Sequence, residues 1–307
     1  MHNRARTGYT LTLLSALSWS LTGPGIAYLL TTYRLPGLAL AFWRDAFIAL
    51  ACVGVFALVR PDVLRISWRE LRSFALIGAI SIGIYHALWV FSIGLNGAAV
   101  AIVLIYTFPS FVTLGSWLLF GERPTRAQIG ALVVSLAGCV LLARAYDLAV
   151  LQVSWLGLLV GLSTGLTHAG YVLFSQRSVQ TRSPWTSLTY TMLFGALTLL
   201  AMSLLFQPAA IVAAGSDPAP WLLLLALALG PTLGGYALFT NALRFIPGPL
   251  ASLVVVAEAP AGAMLAFLLL GERLEPAQLA GIVLIIGALV VPQLARPAAL
   301  ATPVQSV

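Results

Sequence analysis

Long runs of apolar residues follow one another along almost the whole chain, and they limit what it can fold into more than any other feature. A helix needs about 20 mostly apolar residues to cross the hydrocarbon core of a bilayer. Of the 307 residues, 60% are hydrophobic and only 8% are charged, which is far outside the range of soluble domains. We therefore predict an all-α integral membrane protein surrounded by the lipid bilayer. Arg, Pro and Gly residues separate ten predicted transmembrane helices, at about residues 9–30, 37–59, 71–95, 97–120, 125–144, 154–175, 185–206, 219–243, 248–270 and 275–294.

One turn sequence occurs twice, in surroundings of opposite charge. Gly-Glu-Arg at residues 121–123 returns at residues 271–273, and Ala-Gln follows each copy at the same spacing. Arg126 makes the first copy net positive, whereas Glu275 makes the second net negative. Because basic loops stay on the cytoplasmic side, this change of sign indicates that the two copies face opposite sides of the membrane. Inverted repeats of this kind are typical of secondary transporters.

Further matches divide the chain into two halves of five helices. Ser-x-x-Leu-Thr-x-x-Gly at residues 18–25 matches residues 163–170, and Pro36 and Pro184 begin corresponding helices. Five is an odd number, so the second half has to enter the bilayer from the opposite face. We predict a first five-helix repeat at residues 9–144 and a second at 154–294, with an N-terminal segment at 1–8 and a C-terminal tail at 295–307.

The arginines orient these helices. With the N-terminus in the cytoplasm, the inner loops and termini hold twelve arginines and the outer loops hold three, namely Arg34, Arg144 and Arg273. This bias follows the positive-inside rule, so we expect both termini in the cytoplasm and the protein in a bacterial inner membrane. The same rule accounts for the net charge of +7, and we expect no nucleic-acid partner.

Motifs for other classes of function are missing. The chain contains no Lys, which excludes a phosphate-binding Walker loop, and it has no metalloprotease or serine-hydrolase signature. We therefore expect no enzyme activity, no catalytic residues, no cofactor and no metal. An intramembrane enzyme and a channel remain distant alternatives, since the nine acids are scattered and no rings of charge recur at the repeat spacing. Cys52 and Cys139 lie in separate apolar runs, so we expect no disulfide.

Each half ends in a proline-containing helix, a Gly-Glu-Arg turn and a Gly-rich last helix. Pro109 and Pro260 lie 12 and 11 residues before the two turns. In these features residues 9–294 resemble the EamA-type drug/metabolite transporter superfamily, including its bacterial amino-acid and metabolite exporters. The resemblance implies a secondary carrier that exports or exchanges small organic metabolites by alternating access. We expect the transported substrates to be amino acids, in the first place aromatic or hydrophobic ones. The alternative is multidrug efflux of amphipathic compounds.

Ionisable residues inside the apolar runs are candidate functional residues, because a charge in lipid is costly unless it is paired or meets water. Glu258 lies about ten residues into the predicted helix 248–270, near the midplane. It is a candidate for binding a substrate amine or for coupling transport to a proton; a buried pair with Arg44 and a neutral carboxyl are the structural alternatives.

Arg44 stands beside Asp45 and either forms a local pair or clamps an anion with its forked guanidinium. A proton and a counter-substrate both stay open as coupling partners, and we expect a monomer.

Aromatic residues at matching depths complete the predicted site. Tyr85, His86 and Trp89 share one side of the third predicted helix, a face that suits a half-wet cavity. The resemblance adds that such positions line the cavity of bacterial exporters of aromatic amino acids; packing in the core or in an interfacial belt is the alternative. His168 is a weaker candidate, which is expected to pack or to hydrogen-bond a neighbour. The predicted substrate-binding residues are Trp19, Tyr85, His86, Trp89, Tyr106, Tyr236, Phe239 and Glu258, with His86 and Glu258 also as coupling candidates.

Overall fold

The computed structural model describes residues 2–147, 154–212, 215–270 and 273–294, and in these residues the backbone is helical with no strand. The tail at 295–307 and the Gly-Glu pair at 271–272 lie outside the described residues. The helices are α1 (His2–Ser20), α2 (Thr22–Thr32), α3 (Gly37–Val59), α4 (Trp68–Gly78), α5 (Tyr85–Ile105), α6 (Phe108–Phe120), α7 (Arg126–Leu142), α8 (Trp155–Thr181), α9 (Pro184–Phe206), α10 (Pro218–Leu227), α11 (Leu233–Ala242), α12 (Gly248–Val255), α13 (Glu258–Leu270) and α14 (Pro276–Leu294).

Within the described ranges, seven helical segments are long and apolar enough to cross a membrane. Three shorter apolar helices, α6, α7 and part of α14, accompany them. Every predicted apolar run coincides with helix, although the boundaries differ; α8, for example, continues to Thr181 rather than ending near residue 175. The seven segments are Arg4–Thr32, Gly37–Val59, Trp68–Ile105, Trp155–Thr181, Pro184–Phe206, Pro218–Ala242 and Gly248–Leu265.

Interruptions of the helices occur at corresponding places in the two halves. A π-helical segment, Ala79–Ile84, joins α4 to α5, and another, Ala228–Thr232, joins α10 to α11. Pro231 lies inside the second segment, where its missing N–H prevents a regular α-helix. Two-residue turns at 106–107 and 256–257 separate α5 from α6 and α12 from α13. These interruptions redirect backbone carbonyls and side chains at similar sequence positions in the two segments.

Helices of one half pack mainly on helices of the other. The closest pairs are α7 with α14, α3 with α9, α5 with α8, and α1 with α11. Where α7 crosses α14, a Cβ added to Gly138 would lie 2.8 Å from the carbonyl oxygen of Gly281, and the reverse distance is 2.6 Å. Only glycine allows two helix backbones to approach this closely.

Polar contacts sort the loops between two ends of the bundle. At one end Thr186 Oγ1 donates to the Val63 carbonyl over 2.8 Å, and Arg182 pairs with Glu70. At the other end Arg144 pairs with Glu275 over 3.2 Å. Of the twelve arginines assigned to the cytoplasmic side, Arg182 lies at the first end in its pair with Glu70, and Arg296 lies outside the described residues.

The first Gly-Glu-Arg turn lies between the end of α6 and the beginning of α7. Gly121 has a φ of 73°, a left-handed conformation that favours glycine, and it ends α6. Thr125 and Gln128 then form a reciprocal capping box that begins α7. Glu122 accepts a hydrogen bond from Gln176 over 3.3 Å, although burial raises the pKa of its carboxyl.

Candidate functional site

A chain of buried polar groups crosses the centre of the bundle. Asp45 on α3 is fully buried and accepts from His86 on α5, with 2.6 Å between Oδ2 and Nδ1. Its other oxygen lies 3.4 Å from Nε of Arg44. The second ring nitrogen of His86 lies 3.3 Å from the hydroxyl of Tyr236 on α11. Residues from both halves therefore share one hydrogen-bonded chain.

The proton positions in this chain follow from its donors and acceptors. A carboxylate at Asp45 can only accept, and in that state Nδ1 of His86 carries a hydrogen and donates to it. In the neutral ring Nε2 is then an acceptor, and the Tyr236 hydroxyl donates to it. A proton added to Nε2 would reverse this second bond, with Tyr236 as the acceptor. The contact between the halves thus depends on the charge of one imidazole.

Aromatic rings surround the polar chain. Trp19 lies 5.0 Å from Tyr236, nearly perpendicular to it, and 5.5 Å from Phe239. His168 lies 4.7 Å from Tyr85 and also 4.7 Å from Phe108. These separations are typical of edge-to-face and tilted aromatic pairs. We call Trp19, Tyr85, Phe108, His168, Tyr171, Tyr236 and Phe239 the aromatic cluster.

Small residues bring Trp19 to this position. A Cβ added to Gly235 would collide with the Trp19 indole, so the ring lies directly on the backbone of α11. On the same face of α1, Ser15 donates to the Gly235 carbonyl over 2.8 Å and Ser18 donates to the Pro231 carbonyl over 3.0 Å. The two serines therefore hold α1 against α11 beside the proline-containing π-segment.

His168, a weaker candidate in the sequence, and Tyr171, which the sequence did not single out, both belong to the cluster. His168 was expected to pack, and its ring does touch several aromatic neighbours, yet its Nδ1 is buried with no partner among the described residues. Tyr171 bonds Thr240 over 2.6 Å and lies 5.4 Å from Tyr236. Their spacing of three residues places both on one side of α8, and this spacing was the signal in the sequence.

Glu258 and Tyr106 lie at the paired turns of the two halves. Glu258 is the first residue of α13 and is half-buried, and its carboxyl has no hydrogen bond or ion pair in the described part of the chain. The alternative pairing with Arg44 is therefore not formed, because Arg44 lies against Asp45. Tyr106 and Ala257, the residue before Glu258, pack against the same hydrophobic core. An unpaired carboxyl at this depth has to meet water or a ligand.

Trp89, like Tyr106, is a predicted aromatic site residue that the structure does not bring into the aromatic cluster. It lies one turn beyond Tyr85 on α5, is half-buried, and makes no ring contact with the other described residues. Its role in binding stays a prediction. A cavity of about 330 Å³ lies elsewhere, between α6 and α7, where Trp117, Leu132 and other mostly apolar side chains line it, and no predicted site residue does.

The cluster has the chemistry of a site for a small amphipathic molecule. Aromatic faces can hold an apolar group, while a few polar side chains among them fix its orientation. No group of His, Cys, Asp or Glu in the described residues could hold a metal ion.

Known proteins similar to this chain are transporters. The model of the EamA-like transporter family matches residues 6–144 and 155–291. An uncharacterized inner membrane transporter of Salmonella typhimurium, YicL, is 25% identical over 87% of this chain and 88% of its own. A probable terminal-alkyne amino-acid exporter of Streptantibioticus cattleyicolor is 30% identical, over 88% of this chain and 87% of its own.

A solved crystal structure of another protein has the same fold. It superposes with a TM-score of 0.79 at 19% sequence identity and covers 94% of this chain and 97% of its own. The family match extends over both halves of the chain and confirms the resemblance found in the sequence. The protein is thus a multi-pass membrane transporter and not an enzyme, and the chain belongs to the EamA-like transporter family.

Proposed function

We propose that this protein is a secondary-active transporter that exports or exchanges amino acids with an apolar or aromatic side chain, by alternating access. One observation carries the proposal. Aromatic rings and a buried Asp-His-Tyr chain meet in the middle of the bundle, where helices from both halves contribute them. A relative named as a probable amino-acid exporter supports the cargo class.

The proposed architecture is ten transmembrane helices arranged as two inverted five-helix repeats, 9–144 and 154–294. Three features support it. The family model matches the chain in two segments of similar length, and π-helical segments recur at corresponding positions. The packing of α1 on α11 also has its counterpart in the packing of α8 on α5. A rotation that exchanges the two halves would exchange these pairs.

We propose a bacterial inner membrane as its location, with both termini in the cytoplasm, and a monomer as its functional unit. The end of the bundle where Glu70 pairs with Arg182 carries most of the arginines, and such an end is retained in the cytoplasm. The name of the relative from Salmonella supports the inner membrane.

For coupling, His86 and Glu258 are the proposed proton-binding groups. His86 joins the two halves through Tyr236, so its protonation changes a contact between them. Glu258 has no partner in the described residues, so nothing in the protein opposes its protonation there. Exchange against a counter-substrate would need neither group to change charge.

The test is counterflow into liposomes that contain the purified protein. Unlabelled L-phenylalanine inside should accelerate uptake of labelled L-phenylalanine, with saturation, and an imposed pH gradient separates proton coupling from exchange. Protein-free liposomes are the control. If an amphipathic cation stabilises the protein against unfolding and shows counterflow, while amino acids do neither, the multidrug alternative is favoured. Flux that neither saturates nor responds to the opposite side would indicate a channel.

Two tryptophans allow a matched test of the site. Trp19 is 7% exposed within the aromatic cluster, whereas Trp117 is 47% exposed on the surface of α6. Trp19→Phe should weaken L-phenylalanine binding several-fold, because one aromatic contact contributes about 0.5–1.5 kcal/mol. Trp117→Phe should leave counterflow unchanged. Equal effects of the two changes would contradict cargo binding at the aromatic cluster.

A further inference from the structure

We propose that the site recognises a zwitterion, with the cargo's carboxylate on Arg44 and its ammonium group on Glu258. This inference rests on the proposed amino-acid transport and assigns the two charged ends of the cargo. The observation behind it is that the centre of the bundle holds one guanidinium with unused donors and one carboxyl with no partner.

Arg44 is the proposed anion-binding group. Its side chain is only 8% exposed, and a single contact at 3.4 Å, from Nε to Asp45, is its ion pair. The two terminal nitrogens have no hydrogen-bond acceptor in the described part of the chain. A planar guanidinium whose terminal nitrogens are not engaged can bind a carboxylate with two parallel hydrogen bonds. A carboxylate from the cargo would supply the missing acceptors.

Glu258 is the proposed cation-binding group. It lies in the other half of the chain, at the turn that separates α12 from α13, and no cation of the described residues pairs with it. Asp45 cannot serve this role, because both of its oxygens already face Arg44 and His86. Glu258 is therefore the acid at the centre that a cargo ammonium group could neutralise.

Tyr85 relates the two charged groups in space. Ala257, the residue before Glu258, packs against the hydrophobic core that contains Phe108. Tyr85 lies against His86, which bonds the Asp45 partner of Arg44. Its neighbours His86 and His168 have ring centroids 4.7 Å away. An amino acid bound at both ends would therefore place its side chain among aromatic faces. An amine alone leaves the donors of Arg44 unused, and a carboxylic acid alone leaves Glu258 unpaired.

The experiment compares three probes of the same size and hydrophobicity. L-Phenylalanine has both charges, phenethylamine lacks the carboxylate and 3-phenylpropionate lacks the ammonium group. Each is measured as an inhibitor of L-phenylalanine counterflow and as a ligand in thermal unfolding of the purified protein. In the native protein L-phenylalanine should be about tenfold or more stronger than either analogue, because each analogue leaves one buried charge unpaired.

Two variants test which residue binds the carboxylate and which binds the ammonium group of the cargo. Glu258→Gln should reduce the potency of L-phenylalanine to that of 3-phenylpropionate, while the potency of 3-phenylpropionate itself does not fall. Arg44→Lys keeps a cation beside Asp45 but loses the forked donor group, so it should weaken both carboxylates and leave phenethylamine unchanged. The reverse assignment of the two ends, or equal effects on all three probes, would overturn the proposal.

The native protein decides the question even where a variant does not fold. Equal potency of the three probes, with intact amino-acid counterflow, refutes zwitterion recognition and leaves the proposed transport standing. Lack of any counterflow or stabilisation by L-phenylalanine and other amino acids refutes the proposed function itself.

Discussion

His86 is held from two sides by groups that belong to different halves of the chain. Asp45 fixes one ring nitrogen, and the Tyr236 hydroxyl, 150 residues further along the chain, bonds the other. Such a side chain can transmit its protonation state to helix packing, because each change of proton reverses a hydrogen bond across the interface. A relay of this kind would connect cargo or proton binding to the movement of the halves.

Tyr236→Phe tests this bond by removing one hydroxyl and keeping the ring. We expect a loss of about 1 kcal/mol in the free energy of unfolding and a several-fold slower counterflow. Tyr171→Phe is the matched control, since the Tyr171 hydroxyl bonds Thr240 and not His86. Counterflow that slows equally in both variants would argue against a special role of the bond to His86.

Asp45 also stabilises a buried cation. Asp45→Leu leaves Arg44 without its carboxylate and should cost about 3–5 kcal/mol, observed as a large fall in melting temperature in detergent. Asp62→Leu is the control, because Asp62 pairs with Arg60 in an exposed position, where the cost is about 0–1 kcal/mol. The double change Arg44→Leu and Asp45→Leu should recover stability. A melting temperature of Asp45→Leu equal to that of Asp62→Leu would refute the buried pair.

At the scale of helices, the π-segments and paired turns decide where side chains converge. Each π-segment ends immediately before the helix that carries Tyr85 or Tyr236. The extra residue in a π-turn rotates the following helix relative to the preceding one, which aims these tyrosines into the centre. Pro231 makes such a turn favourable in the second half, whereas the first half has no proline within Ala79–Ile84.

The contact of α1 with α11 depends on the absence of a side chain at Gly235. Gly235→Ala should destabilise the protein by about 1–3 kcal/mol, because its methyl group would overlap the Trp19 indole. Gly230→Ala, in the adjoining π-segment, is the control, since no atom lies within 4 Å of an added Cβ there. Both are measured by thermal unfolding. A neutral Gly235→Ala would mean that Trp19 moves aside freely.

At the scale of the whole molecule, the two halves are interleaved and not side by side. α3 packs on α9 and α7 packs on α14, so each half buries surface that only the other half can cover. Each half alone would therefore leave apolar surface uncovered and buried polar groups without their partners. We propose that movement of one half against the other opens and closes a site at this interface.

The orientation of the halves can be tested with cysteines at equivalent positions of the two turns. In a background with Cys52 and Cys139 replaced, Arg123→Cys should react with a membrane-impermeant maleimide from the cytoplasmic side. Arg273→Cys should react from the outer side. Both positions are exposed, so neither change should affect stability by more than about 0.5 kcal/mol. Labelling of both cysteines from one side would disprove the inverted arrangement.

Much of the architecture could be predicted because it depends on residues close together in sequence. Hydropathy predicts a protein embedded in the lipid bilayer, and each predicted apolar run is helical in the structure. Pro231 lies in an interruption of a helix and Gly121 ends a helix, and both effects are predictable because they arise from the backbone of the residue itself. The arginines sort the loops into two sets, and the orientation that they indicate stays a prediction.

The contents of the site were decided by tertiary structure. Glu258 and Arg44 have suitable charges and depths for a pair, yet Arg44 faces Asp45 and Glu258 stays unpaired. His168 entered the cluster and Trp89 did not, although both are aromatic side chains on membrane helices. Depth in the membrane can be read along the chain, because residues rise by a fixed distance in a helix. Rotation about the helix axis depends on packing between residues 41 to 220 positions apart, and it chooses the neighbours of each side chain.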